Sequence, residues 1–169
     1  HESIEFAGHL KLSKLIVFWD DNRISIDGKT TLSTSSNQLL RFKSCGWETQ
    51  KIDGHNFEEI SKAIEKAQQS KKPSLIACNT IIGFGSPNLA GTEKTHGAPL
   101  GAEEVKEVKK YLNWSHEPFY VSKEIINEWS IVKIRGNKKH KAWTERLASN
   151  PKKEKLNEFL YQGINQKFE

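Results

Sequence analysis

The sequence lacks methionine and has no long apolar run. Its 169 residues contain no Met, and the first of them is His1. Because newly made chains begin with Met, we interpret the sequence as processed at its start or as a piece of a longer protein. No apolar run approaches 18 residues, which excludes a membrane-spanning helix, and no signal-peptide pattern is visible. We therefore expect no membrane partner.

Cysteine is scarce as well. Cys45 and Cys78 are too few for a disulfide scaffold, and their spacing is not that of a structural zinc site. Hydrophobic residues make up 36% and charged residues 28% of the chain, which is the composition of a globular domain. These features suit a reducing compartment, and we expect a cytoplasmic protein.

Positive charge is concentrated at the end of the chain. Residues 133–169 hold ten Lys and Arg against four Asp and Glu. The same stretch has an apolar stripe, so we interpret it as solvated helices, split at Pro151, and expect no nucleic-acid partner. The stripe consists of Trp143, Leu147, Leu156, Phe159 and Leu160.

Apolar and periodic segments alternate over the first 80 residues. The run Leu15–Trp19 predicts a strand buried on both faces. Further strands are predicted at 47–52 and 74–80. A helix is predicted at 34–44, with Thr34, Ser35 or Ser36 as its cap, and another follows the cap residue Asn56. This order favours an α/β fold with a parallel sheet and helices on both faces. Other helices are predicted at 1–12, 102–112 and 122–129, followed by the tail helices.

Two segments follow predicted strands at the edge where open parallel sheets bind ligands. Asp20–Gly28 offers carboxylate, amide and backbone oxygens, the donors that Mg²⁺ prefers. Residues 83–100 hold four glycines, two prolines and His96, and show no periodicity. A polar turn and a surface histidine remain the alternatives for the two segments. Neither a P-loop, a dinucleotide fingerprint nor a hydrolase elbow is present.

Five blocks of the sequence occur together in a known order. They are Leu10–Ile16 running into Asp20–Gly28, Arg41-Phe42 with Cys45–Trp47, Ile52–His55, Lys72–Asn88, and Gly91-Thr92 with Thr95–Gly101. In these blocks, over residues 1 to about 129, the sequence resembles transketolases. The resemblance implies the C-terminal half of the domain that binds the diphosphate of thiamine diphosphate. The tail resembles the segment that leads out of that domain.

The resemblance also implies an activity. Transketolases use thiamine diphosphate and Mg²⁺ to transfer a two-carbon ketol unit from a ketose phosphate to an aldose phosphate in the pentose phosphate pathway. Sugar phosphate substrates and a homodimer are thus expected, with Ca²⁺ or another divalent cation as alternatives to Mg²⁺. Dihydroxyacetone synthase is a related alternative.

The metal residues follow from the resemblance. Asn22 matches a metal-binding asparagine of the family, and Ile24 matches a residue that binds the metal through its backbone carbonyl. The family's Gly-Asp-Gly motif, about thirty residues before Asn22, would fall before His1. We therefore expect a fragment, inactive by itself, and a non-catalytic stand-alone module remains the alternative.

Other residues match cofactor and substrate positions. Ile26 falls where an apolar side chain packs on the cofactor ring, and Ile82 is expected near the cofactor. His96 matches a catalytic histidine that contacts the diphosphate and the substrate. Glu2 matches a catalytic glutamate of a carboxylate cluster near the cofactor and the dimer interface. The implied domains are residues 1–132, the cofactor-binding part, and 133–169, a basic helical extension.

Overall fold

A computed structural model describes residues 1–161 of the chain. Its strands are β1 Ile16–Asp21, β2 Ile24–Ser25, β3 Gly28–Lys29, β4 Glu48–Asp53 and β5 Ser74–Asn79. Its helices are α1 Glu2–His9, α2 Gln38–Ser44, α3 Phe57–Gln69, α4 Ala102–Tyr111, α5 Lys123–Ala148 and α6 Lys153–Tyr161. By internal contacts the chain divides into His1–Ser115 and a second unit that begins at His116.

The three longer strands form a parallel sheet in the order β1-β5-β4. The predicted α/β fold with a parallel sheet is confirmed. Within the described residues, the expectation that the first strand is buried on both faces is wrong, because β1 is an outer strand of this sheet and Phe18 is 47% exposed. The buried strand is β5, which lies between β1 and β4 and whose Leu75 and Ile76 are 1% and 0% exposed.

Successive side chains of β5 point to opposite faces of the sheet. Both faces are therefore apolar, and helices cover each of them. Leu75 packs with Ala7 of α1 and with Trp47, while Ile76 packs with Ala63 and Ala67 of α3. Full burial of a Leu or Ile side chain contributes about 2 kcal/mol. The two cores thus hold the helices on opposite faces, as predicted.

A glycine allows α1 to approach the chain closely. A Cβ atom at Gly8 would lie 1.7 Å from the carbonyl oxygen of Cys45. The indole N–H of Trp47 donates to the carbonyl of Ile4 at 2.8 Å, which gives α1 a second contact with the same segment of the chain. Helix α1 is therefore docked by a backbone approach that only glycine permits.

The helix starts agree only in part with the sequence pattern. Helix α2 begins after Asn37, whose side chain accepts from the N–H of Leu40, and not after the predicted Thr34, Ser35 or Ser36. Asn56 caps α3 as predicted, accepting from Glu58 and Glu59. The Glu59 carboxylate reaches back to the N–H of Asp53, so it also holds the end of β4.

The second unit consists of helices within the described residues. Helix α5 is continuous over Lys123–Ala148, so the predicted helix at 122–129 is too short, and the break at Pro151 separates it from α6. The division after residue 132 falls inside α5 and stays a prediction about domains. The final residues of the predicted extension, 162–169, lie outside the described part. None of the helices within 1–161 is long and apolar enough to cross a membrane.

Candidate active site at the carboxyl edge of the sheet

Asn22 follows the last residue of β1 and is held there by two hydrogen bonds. Its side-chain oxygen Oδ1 accepts from the backbone N–H of Ile24 at 3.0 Å, and its Nδ2 donates to Asp20 Oδ2 at 3.3 Å. Together these contacts assign the amide orientation. An amide oxygen has two lone pairs, so Oδ1 keeps one acceptor position besides the Ile24 contact.

Ile24 begins a small hairpin that the sequence pattern did not predict. Strands β2 and β3 pair antiparallel, with Ile24 opposite Lys29 and Ser25 opposite Gly28. Arg23 takes the left-handed backbone conformation, φ 62°, at the turn into the hairpin. Ile26 lies at the hairpin tip with its side chain 71% exposed. An apolar side chain presented in this way is available to pack against a ligand.

A side-chain contact ties β1 to β5 at the same edge. The hydroxyl of Thr80, just after β5, donates to Asp20 Oδ1. The carboxylate of Asp20 therefore accepts from Thr80 with one oxygen and from Asn22 with the other. Asp20 positions the asparagine while joining the ends of two strands.

The end of β4 is joined to the same edge by His55. Its Nε2 accepts from the backbone N–H of Ile81 at 3.0 Å, and its ring stacks on Phe84 with centroids 4.1 Å apart. Gly54 has no space for a side chain, since a Cβ would lie 2.5 Å from Thr80 Cγ2. All three parallel strands are thus connected where they end.

Ile82 and His96 belong to the long glycine-rich loop. The carbonyl of Ile82, which is half-buried, accepts from Gly91 at 2.8 Å, which closes the loop near its base. A single turn of 3₁₀ helix, Glu93–Thr95, precedes His96, and the histidine is exposed. An exposed imidazole on a loop after the central strand can contact a ligand at the carboxyl edge.

Glu2 lies at the start of α1 with its side chain 97% exposed, 3.5 Å from the amine of His1. A hydrogen bond from its own backbone N–H lowers the pKa of Glu2. An open cleft of about 930 Å³ runs along β1. Of the residues singled out in the sequence, Asn22 and Ile24 line this cleft within residues 1–161, whereas Ile26, Ile82, His96 and Glu2 do not.

The oxygen donors at this edge of the sheet suit a hard cation that is also bound by oxygens of a second molecule, such as a phosphate. No group of three or more His, Cys, Asp or Glu side chains that could hold a metal occurs within 1–161. A divalent ion at Asn22 would therefore depend on amide and peptide oxygens and on oxygens of a bound anion. Mg²⁺ characteristically binds in this way, with few protein ligands and several phosphate or water oxygens. The residues present fit such an ion as a partial ligand set.

Glu104 of α4 is a residue that the sequence pattern did not single out. Its carboxylate accepts from the Ser86 hydroxyl, from the Asn88 backbone N–H at 3.0 Å and from the Asn88 side chain at 2.9 Å. These hydrogen bonds, the one from the Asn88 side chain first, lower the pKa of Glu104. The sequence offered one signal for such a residue, namely an acidic side chain close to a glycine-rich loop. Three acidic residues lie in or near α4, however, and only the fold shows which of them contacts the loop.

Comparison with known proteins identifies the family. Residues 1–167 match the family described as transketolase, thiamine diphosphate binding domain. The chain is 53% identical over 154 residues to a transketolase from Sinorhizobium medicae, covering 90% of this chain and 22% of that protein. The chain therefore spans about a fifth of the length of the curated relatives that it matches.

Solved structures agree with the sequence match. A transketolase from Campylobacter jejuni superimposes with a TM-score of 0.85 at 36% identity, covering 95% of this chain and 26% of that one. A transketolase variant from Pichia stipitis in complex with fructose 6-phosphate gives a TM-score of 0.79 at 37% identity, covering 88% and 22%. The chain belongs to the transketolase family, in the part that forms the thiamine diphosphate binding domain.

Proposed function

We propose that the protein carrying this chain is a transketolase that moves a two-carbon ketol unit from a ketose phosphate to an aldose phosphate in the pentose phosphate pathway. The family membership of residues 1–167 supports the activity. The observation that carries the proposal is the Asn22 amide at the end of β1, fixed by Asp20 and Ile24. It presents a hard oxygen donor where open parallel sheets bind anionic ligands.

Asn22 and Ile24 would hold the divalent ion, Mg²⁺ or in its place Ca²⁺ or another divalent cation. The Asn22 side-chain oxygen and the Ile24 backbone carbonyl are neutral donors, so they leave the ion its positive charge for binding a diphosphate. Asp20 orients the Asn22 amide by accepting a hydrogen bond from Asn22 Nδ2. Such supporting contacts to metal-binding side chains commonly affect metal affinity.

Ile26, Ile82 and His96 would contact the cofactor or the substrate. When bound, thiamine diphosphate supplies the electron sink that stabilises negative charge on the transferred carbon. Ile26, exposed at the hairpin tip, would cover an apolar part of the ligand and exclude water. His96 would hold a proton on an imidazole nitrogen and donate it to, or share it with, diphosphate and substrate oxygens.

Glu2 is proposed as part of a carboxylate cluster near the cofactor and a dimer interface. Its exposure on α1 leaves it available for contacts beyond this chain. The proposal includes a homodimer of the whole protein and a cytoplasmic location. Size-exclusion chromatography with light scattering tests the dimer directly.

The activity test uses the protein at the length that its gene encodes. With thiamine diphosphate, Mg²⁺, fructose 6-phosphate as donor and an aldose phosphate as acceptor, we expect ketol transfer that stops when the metal is chelated. Asn22→Ala should weaken the apparent Mg²⁺ affinity by about 10²-fold. The matched control is Asn127→Ala on the exposed surface of α5, which should behave as the unmutated protein.

Two results would contradict the proposal. Formaldehyde as the preferred acceptor would identify a dihydroxyacetone synthase instead. Absence of transfer with every sugar phosphate pair, in a folded protein, would favour a non-catalytic module. The 169-residue chain alone is expected to be inactive and to bind no thiamine diphosphate by calorimetry.

A further inference from the structure

We propose that Glu104 is a positioning residue, which fixes the fold of the 83–100 loop and through it the place of His96. The inference rests on the proposed function, because it assigns Glu104 a role in a reaction that needs His96. Glu104 lies eight residues after His96, on α4, and its carboxylate contacts a different part of the loop.

Glu104 binds the loop through both carboxylate oxygens. Oε1 accepts from the Ser86 hydroxyl and from the Asn88 N–H at 3.0 Å, while Oε2 accepts from Asn88 Nδ2 at 2.9 Å. Ionised acceptors make stronger hydrogen bonds than neutral ones. The lowered pKa of Glu104 agrees with a carboxylate that these donors stabilise in its charged form.

Ser86 passes this restraint into the loop. It is 3% exposed, and its Oγ also accepts from the N–H of Leu89 at 3.1 Å. A buried hydroxyl that loses its partner carries a desolvation penalty. The Glu104 carboxylate thus keeps Ser86 in the position that forms the 86–89 turn.

A chain of hydrogen bonds continues from this turn to His96. The carbonyl of Leu89 accepts from Thr92 Oγ1 at 2.7 Å, and the carbonyl of Thr92 accepts from Thr95 Oγ1 at 2.9 Å. The N–H of His96 donates to the carbonyl of Glu93 at 2.9 Å, at the end of the 3₁₀ turn. Each turn is therefore fixed by the one before it.

The loop is also held near its start, so this part of the loop cannot shift to compensate for a displaced 86–89 turn. Gly91 donates to Ile82, and a Cβ at Gly83 would lie 2.9 Å from Thr95 Cγ2. Loss of the Glu104 contacts should loosen the path to His96 more than it loosens the sheet.

Glu103 supplies a matched control one position away. It lies in the same helix turn, its side chain is 86% exposed, and it pairs with Lys106 at 2.7 Å. Glu103→Gln removes the same charge from the same helix without touching the loop. Any effect specific to Glu104→Gln thus comes from the loop contacts and not from the charge of α4.

The first experiment is hydrogen–deuterium exchange on the protein at its encoded length. In the Glu104→Gln variant, the backbone amides of residues 86–96 should exchange with deuterium about tenfold faster, while those of β5 stay protected. The Glu103→Gln variant should exchange like the unmutated protein. Ser86→Ala, which removes the next contact in the chain, should loosen the same residues. Unchanged exchange in both Glu104→Gln and Ser86→Ala would overturn the proposal.

The second experiment asks whether Glu104 acts through His96. Glu104→Gln should lower kcat for ketol transfer by about tenfold to 10²-fold, as misplaced catalytic groups do. In a His96→Ala background the same substitution should change kcat less than about twofold, because coupled residues are not additive. An equal loss in both backgrounds would overturn the proposal. Absence of transfer by the unmutated protein would overturn the proposed function, and the exchange experiment would still decide whether Glu104 fixes the loop.

Discussion

The hydroxyl of Thr80 donates a hydrogen bond to the carboxylate of Asp20, and so joins residues that are sixty positions apart. The contact connects the end of β5 with the end of β1, and the second carboxylate oxygen of Asp20 holds the Asn22 amide. Orientation of the proposed metal-binding residue therefore depends on the pairing of two strands. The pairing is parallel, with Asp20 opposite Cys78.

Thr80→Val should weaken metal binding without unfolding the sheet. Valine keeps the shape of threonine but donates no hydrogen bond, so Asp20 loses one of the two contacts that hold it. We expect the apparent Mg²⁺ affinity in thiamine diphosphate binding to fall about tenfold. A Mg²⁺ titration monitored by tryptophan fluorescence measures this affinity. Thr49→Val in β4, at the position opposite Leu75, is the control, and an equal loss there would contradict the prediction.

Gly8→Ala should destabilise the docking of α1 severely. The new Cβ would lie 1.7 Å from the Cys45 carbonyl oxygen, so the helix must move away from Trp47. We expect a loss of about 3 kcal/mol in the free energy of unfolding, at the upper end of single-residue effects.

The control for this change is Gly136→Ala in α5, where nothing lies within 4 Å of the new Cβ. Alanine is the better helix former, and we expect a gain of up to about 1 kcal/mol. Urea unfolding of both variants compares them. A Gly8→Ala variant as stable as the unmutated protein would show that α1 docks in another way.

The Glu104 contacts should make stability depend on pH. Hydrogen bonds lower the pKa of Glu104 below its ordinary value of 4.5. Their stabilising contribution is therefore complete above pH 4.5 and is lost as the pH falls through the lower, folded-state pKa. Glutamine resembles the protonated carboxyl. The difference in unfolding free energy between the unmutated protein and Glu104→Gln should accordingly shrink as the pH falls.

Urea unfolding between pH 3 and 7 measures that difference. The Glu103→Gln variant, which lacks the loop contacts, should show no comparable trend over this range. A difference for Glu104→Gln that grows as the pH falls would contradict the assignment of a lowered pKa to Glu104.

Both thiols should react slowly with alkylating reagents at neutral pH. A hydrogen bond to Glu5, burial and the charge of Glu5 raise the pKa of Cys45. Burial and then the charge of Asp20 raise the pKa of Cys78. Since the thiolate is the reactive form, iodoacetamide labelling at pH 7.5 should be much slower than in urea-unfolded protein. Asp20→Asn should speed labelling of Cys78 and leave Cys45 unchanged, and the reverse result would contradict this assignment.

Local sequence signals predicted the elements whose cause is local. Asn56 caps α3 because an amide side chain can accept from the first free N–H groups of a helix, and this requires only neighbouring residues. The same logic chose wrongly among Thr34, Ser35 and Ser36, since several adjacent polar residues can cap and Asn37 is the one that does. The β2–β3 hairpin escaped prediction because two-residue strands carry no periodic pattern.

The candidate site was predictable only in part. Asn22, Ile24 and His96 were singled out through the blocks that resemble transketolases, and their proposed roles remain predictions. The contacts that hold them were not foreseen. Asp20 meets Thr80 through strand pairing, and His55 meets Ile81 through the sheet edge.

The sequence by itself determined the family, the alternation of strands and helices, and the oxygen-rich segment after the first strand. These features depend on residue type and short spacing, which the chain carries before it folds. Tertiary structure alone decided that β5 is central and β1 outermost among the described strands, and that Glu104 and not Glu103 holds the glycine-rich loop. Such choices depend on which distant segments pack together, because the same side chain is a solvated charge in one place and a positioning contact in another.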